Sequence, residues 1–176
     1  FSVGIVDEDQ ILGPHRVQVG ATVIGVSSSG FHSNGYSLLR KVFKDDLDDW
    51  RDMLMTPTHL YSKLVLELYG EGRLHAVANI TGGGMENLPR VMPKGTVLPL
   101  LDWGWSEPFK IVQDRTGMAR TEMLKTLNCG VGLALFVSPG DVTRVEDAIA
   151  KHGYRAIQLG KVAAGDDPAR EAEVQY

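Results

Sequence analysis

The sequence predicts an α+β domain, a layered mixed β-sheet with helices, and two observations carry that expectation. Residues 131–137, VGLALFV, are apolar almost without interruption, the pattern of a central strand buried on both faces. Around them, strand-like and helix-like stretches interleave irregularly and nothing repeats, which favours a layered mixed sheet. The 176 residues, 43% of them hydrophobic, suffice for one domain with a single core.

Taken in order, residues 21–26 form a β-branched run bounded by glycine and serine and read as a buried strand. From 36 to 43, Tyr36, Leu39 and Phe43, with Leu38 and Val42, recur at three- and four-residue spacing and make one helical face. Residues 45–52 are acidic and read as a solvated connection with Trp50 as a packing anchor. A second helix is expected over 58–69, where Leu60, Leu64 and Leu68 lie one turn apart and Gly70 and Gly72 supply the stop. Strands are expected at 75–80 and 96–101, with a short helical stretch around 86–88 between them. Ser106, Glu107 and Pro108 open a helix that Gly117 closes, and a shorter one follows at 121–127. After the central strand, Ser138, Pro139 and Asp141 start a helix whose Val142, Val145 and Ile149 face the core and which ends near Gly153. Residues 154–162 return as a strand, and 171–176 add an edge strand after the polar loop 165–170.

Two loops concentrate polar and small residues. Residues 27–37, SSSGFHSNGYS, precede a helix, so backbone N–H groups of its first turn have no intrahelical partner and can face an anion. Ser28, Ser29, Ser33 and Asn34 can cap that helix or hold an oxyanion, alongside Gly30 and Gly35. His32 alone among them can move a proton near neutral pH. By itself this stretch reads first as a polar cap before a core helix. The second loop, ITGGGM at 80–85, follows a strand and contains Thr81, Gly82, Gly83 and Gly84. Three consecutive glycines leave no side chain to keep a ligand off the backbone and permit a nest of N–H groups to turn inward. Two strand–loop–helix elements of this kind in one small domain point to a multiply anionic ligand.

The net charge of −4 and a pI near 5.7 argue against a nucleic-acid surface, so phosphate binding has to come from local N–H arrays. The single cysteine, Cys129, excludes an internal disulfide, and it abuts the buried strand, which suits a small core residue better than a nucleophile. His15, His59 and His152 lack metal-ligand spacing and read as surface or capping residues, while His75 reads as structural. No metal site is expected. No long apolar span or signal peptide is present, so no membrane partner is expected and the cytoplasm is the default compartment.

SSSGFHSNGYSLLRKV, ITGGGMENLPRVMP and LNCGVGLALFV together resemble the C-terminal domain of the aminoimidazole ribonucleotide synthetases, also called phosphoribosylformylglycinamidine cyclo-ligases. The resemblance runs from about Phe1 to Val162, with one departure: only Met85 separates Gly84 from Glu86, where the family pattern has two residues. It implies that residues 1–14 are a strand and linker leaving an N-terminal ATP-binding domain, and that 15–176 are the substrate- and phosphate-binding domain. It also implies ATP and Mg2+ held mainly by that other domain, formylglycinamidine ribonucleotide as substrate, a homodimer, and His32 as the catalytic residue. The phosphates are assigned to Ser28, Ser29, Gly30, Ser33, Asn34 and Gly35 and to Thr81, Gly82, Gly83 and Gly84. The competing readings are a stand-alone module for a phosphorylated metabolite, another member of the same ATP-dependent superfamily, and a purely structural domain.

Overall fold

The apolar run becomes β4 (Val131–Val137), all of it buried, inside a four-stranded sheet. It lies between β1 (Thr22–Ser27) and β2 (Ala76–Asn79), and β5 (Ala156–Lys161) adds to the other side of β1. The computed structural model describes residues 3–176. Every pairing in this sheet is antiparallel. The mixed pairing expected from sequence is confined to a second, three-stranded sheet, in which β3 (Thr96–Pro99) pairs antiparallel with β6 (Ala163–Ala164) and parallel with β7 (Glu173–Gln175). Leu101 N–H donates to Leu159 O at 2.9 Å and ties the two sheets together.

β4 is apolar throughout because both faces of the main sheet are covered. Val23, Ala134 and Phe136 face a layer built from α1 (Tyr36–Val42), α4 (Glu107–Thr116) and α5 (Arg120–Thr126), which contribute Leu39, Phe109, Val112, Met123 and Leu124. Ile24, Val26, Leu133, Leu135 and Val137 face α3 (Ser62–Gly70) and α6 (Val142–Lys151), which contribute Leu64, Leu68, Val145 and Ile149. Side chains alternate in direction along a strand, so a strand with two covered faces loses the polar half of its alternation. No helix among the described residues is long and apolar enough to cross a membrane.

Three sequence expectations need correction. The helix expected over 58–69 begins only at Ser62, and Leu60 is 83% exposed. Residues 57–61 are instead held against the loop after β1: Ser29 Oγ donates to Pro57 O at 2.6 Å and Tyr61 Oη to Ser27 O at 2.8 Å. The acidic stretch 45–52 is not merely solvated; it runs into α2 (Arg51–Leu54), and Asp46 accepts from both terminal nitrogens of Arg115 at 2.9 and 2.7 Å. Trp50 does act as an anchor, its indole N–H donating to Asp46 Oδ2 at 2.8 Å with its ring 5.6 Å from that of Phe43. In the expected leading strand, Phe1 and Ser2 lie outside the described residues, while residues 3–7 pair with no strand and Val3 and Ile5 are almost fully exposed.

Gly95, just before β3, has φ +69°, and a Cβ there would stand 2.5 Å from Pro168 Cα and 2.9 Å from its carbonyl oxygen. Backbone cannot swing aside as a side-chain tip can. Gly95→Ala is therefore expected to destabilise the chain by about 2–3 kcal/mol, read as a lowered midpoint in urea unfolding at unchanged slope.

Candidate anion-binding loops

The two polar loops are brought to the same end of the main sheet. β1 and β2 both run antiparallel to β4, so the loops that follow them leave on the same side, flanking the turn that opens β4. They meet at their tips: a Cβ built on Gly82 would lie 3.9 Å from Asn34 Oδ1.

The first loop is fixed from within. Asn128, 1% exposed, donates to Gly30 O at 2.9 Å and accepts from Gly130 N–H at 2.9 Å and from Ser28 Oγ at 3.2 Å. Asn34 Nδ2 donates back to His32 O at 2.7 Å. His32 and Ser33 sit in left-handed conformation at φ +52° and +59°, followed by Gly35 at +74°. This sequence of turns leaves the N–H groups of Ser33 and Gly35 without a carbonyl partner among the described residues. α1 is only seven residues long and has no side-chain cap, so the loop N–H groups, rather than a long helix dipole, are the donors on offer.

The glycine loop is held by Asn87, which donates to Gly84 O at 2.7 Å and to Gly82 O at 3.3 Å. Its exit is a 3-10 turn, Gly84–Asn87, in which Met85 is fully buried, so the shortened segment after Gly84 sends its one extra side chain into the core. Gly84 cannot be replaced without moving backbone, since at φ +53° a Cβ would meet Leu124 O at 2.1 Å. Thr81, Gly82 and Gly83 keep N–H groups with no acceptor among the described residues, and Gly82 is exposed.

His32 is not at the surface of this arrangement. It is 5% exposed, and its Nε2 accepts from Ser29 N–H at 3.0 Å. A backbone N–H can only donate, so Nε2 is the bare nitrogen and Nδ1 carries the proton, buried and without a partner. The ring fits only because position 132 is glycine: a Cβ there would stand 2.4 Å from His32 Cε1 and 2.1 Å from Tyr61 Oη. Burial pushes the His32 imidazole down to about 4, and His59, whose ring centroid is 5.9 Å away, adds to the effect. Burial pushes the Cys129 thiol up to about 12, consistent with a core residue.

Residues 18–173 match the family model described as AIR synthase related protein, C-terminal domain. The chain belongs to this family. It is 41% identical over 178 aligned positions to the phosphoribosylformylglycinamidine cyclo-ligase of Geobacter metallireducens, covering 93% of the chain and 51% of that protein. The chain thus spans about half the length of that curated relative. The fold recurs in thiamine-monophosphate kinase from Stenotrophomonas maltophilia (TM-score 0.62, 16% identity, 97% of this chain and 54% of that one). It recurs also in Thermotoga maritima PurL complexed with FGAR (TM-score 0.57, 16% identity, 97% and 28%).

Within this C-terminal domain, sequence reading located both loops but missed Asn87 and Asn128, which hold them. Both stand in the quoted motifs, MEN and LNC, and a polar residue inside a buried apolar segment is the signal that would have marked them.

A neutral buried His32 has a pH signature. Its folded pKa, about 4, lies below the ordinary 6.5, so the unfolded chain binds the extra proton between those values and stability falls as pH drops from 6.5 toward 4. The slope from this one group reaches about 1.4 kcal/mol per pH unit. His32→Asn is expected to flatten that part of the profile, measured by urea unfolding at half-unit pH steps.

Proposed function

We propose that this chain is the C-terminal, substrate-binding part of an ATP-dependent cyclo-ligase that closes the imidazole ring of formylglycinamidine ribonucleotide. The products are aminoimidazole ribonucleotide, ADP and phosphate. The observation that carries the reading is the 41% identity to a phosphoribosylformylglycinamidine cyclo-ligase across 93% of the chain. The free N–H groups of the two abutting loops support it.

ATP phosphorylates the formyl amide oxygen, which turns a poor leaving group into a good one. The amidine nitrogen then attacks that carbon and expels phosphate. Such chemistry depends on positioning and charge stabilisation more than on covalent work by the protein. In this reading Ser28, Ser29, Gly30, Ser33, Asn34 and Gly35 with Thr81, Gly82, Gly83 and Gly84 hold the substrate phosphate or the transferring phosphoryl group. Among the described residues no group of three or more His, Cys, Asp or Glu is placed to hold a metal ion, so no step is assigned to Mg2+ on this chain. ATP and Mg2+ belong in this reading to an N-terminal domain of a cytoplasmic homodimer.

For His32 the reading takes two forms, proton transfer at the amide oxygen or positioning of the loop. The buried ring, with Nε2 committed to Ser29, favours positioning. Proton transfer would require the loop to open first.

The complete protein carrying this chain should convert formylglycinamidine ribonucleotide and ATP in equal amounts to the cyclised product and ADP. Residues 1–176 alone should release no ADP. Gly82→Asp is the informative variant, because a Cβ there has only Asn34 Oδ1 nearby, at 3.9 Å, yet the new carboxylate stands among the free N–H groups. It should raise KM for the ribonucleotide about tenfold or more at an unchanged melting temperature, since two like charges would share one site. Unchanged KM would remove the glycine loop from the phosphate site. Ribonucleotide binding without turnover in the complete protein would mark a binding module instead.

A further inference from the structure

The 3-10 turn that closes the glycine loop carries a carboxylate, Glu86, which the reading above leaves without a role. Its N–H donates to Gly83 O at 3.0 Å, so the residue is part of the loop's own hydrogen-bond pattern. Its side chain is about half exposed. Tyr176 Oη donates to Glu86 Oε1 at 2.6 Å, and Lys125 Nζ lies 4.0 Å from the same oxygen. The same lysine nitrogen stands 5.1 Å from the centre of the Tyr176 ring, so the three side chains form one cluster. Tyr176 directly follows β7, which is itself fixed by its parallel pairing with β3 and by Leu100 N–H donating to Gln175 O at 2.9 Å.

Glu86 stands three residues beyond Gly83 in the turn that closes the loop, and a carboxylate this near in sequence to free N–H donors poses a problem for a phosphate ligand. If free to rotate, it competes for those donors and repels the incoming charge. A hydroxyl donor and an ammonium group on one of its oxygens answer both difficulties, because they hold the rotamer and screen the charge. We propose that Tyr176 is a positioning residue of the anion site: with Lys125 it fixes and screens the Glu86 carboxylate, which keeps the glycine-loop N–H groups available to a phosphate-bearing ligand. This rests on the phosphate-binding reading of the loops given above. Burial and the neighbouring carboxylate raise the pKa of the Tyr176 hydroxyl, so it remains a donor at every working pH.

Two measurements test the proposal, and only one needs the enzyme reaction. In residues 1–176, Tyr176→Phe removes the donor and keeps the ring against Lys125. Amide hydrogen exchange at Gly82 and Gly83 should then slow about three- to tenfold, because the released carboxylate bonds those N–H groups and its charge repels hydroxide, with the melting temperature changed little. Unchanged exchange overturns the proposal. In the complete protein, Tyr176→Phe should raise KM for formylglycinamidine ribonucleotide about three- to tenfold with kcat held within about twofold, the mark of lost ground-state and transition-state binding in equal measure. Adding Glu86→Gln to Tyr176→Phe should bring KM back toward wild type, because the unscreened charge is gone. A double variant as poor as the single one, or a single one with normal KM, overturns the proposal. If the wild-type complete protein neither binds nor cyclises the ribonucleotide, the functional reading fails, and the exchange measurement still decides whether Tyr176 sets the loop.

Discussion

β4 runs antiparallel to both of its neighbours, and the candidate site depends on that constraint. Two strands antiparallel to a common third are parallel to each other, so β1 and β2 point the same way although 48 residues of helix and loop separate Ser27 from Ala76. Their exits are about 10 Å apart, two strand spacings, which is the scale of a phosphorylated metabolite. Between them lies the opening of β4, with Asn128, Cys129 and Gly130. Three loops therefore share the crevice beyond the ends of these strands.

Loops this close to the core meet a second constraint. Buried carbonyl and N–H groups outside regular structure still require partners. Asn128 and Asn87 meet it with side-chain amides: Asn128 ties Gly30 O of the first loop to Gly130 N–H of its own turn, and Asn87 binds the carbonyls of Gly82 and Gly84. An amide suits the task because it offers donor and acceptor from one uncharged group, so it can be buried without the desolvation cost of a carboxylate. With the inner groups satisfied this way, the remaining N–H groups on the outer side are left for a ligand. The neutral His32 belongs to the same scheme, its bare nitrogen taking the Ser29 N–H that the turn leaves over.

Much of this was legible in sequence where the signal is local. The run 131–137 announced a strand covered on both faces, the i, i+3 and i+4 spacing announced α1, and Ser106, Pro108 and Gly117 bracketed α4 to within a residue. The triple glycine and the serine–histidine stretch marked the two loops whose tips the fold brings together. The failures are non-local. Leu60, Leu64 and Leu68 have helical spacing, but the first turn of that helix is lost to bonds that Tyr61 gives to Ser27 and Pro57 accepts from Ser29, about thirty residues earlier in the chain. The orientation of His32 depends on the missing side chain of Gly132, one hundred residues away, and no periodicity records that. The parallel partner of β3 is likewise set by the return of the chain at 173–175 rather than by its own residues.

Charge explains why the donors have to be backbone groups. The chain is acidic overall, and Arg115 and Arg120 are paired with carboxylates, Arg115 with Asp46 and Arg120 with Asp102 at 2.5 Å. Arg120 also stacks over Trp105 at 4.7 Å, which holds it on the aromatic segment rather than over the loops. A site built from guanidinium groups would attract any polyanion and would hold product phosphate as firmly as substrate. N–H groups in a fixed nest contribute partial charges only along set directions, so they select the shape of the anion as well as its sign. For the proposed reaction, in which one phosphate would stay and another leave, that directional weakness is an advantage, and it requires the loops to be stiff. The buried asparagines, the glycine-backed histidine and the tyrosine-held glutamate each remove a freedom that would blur the nest.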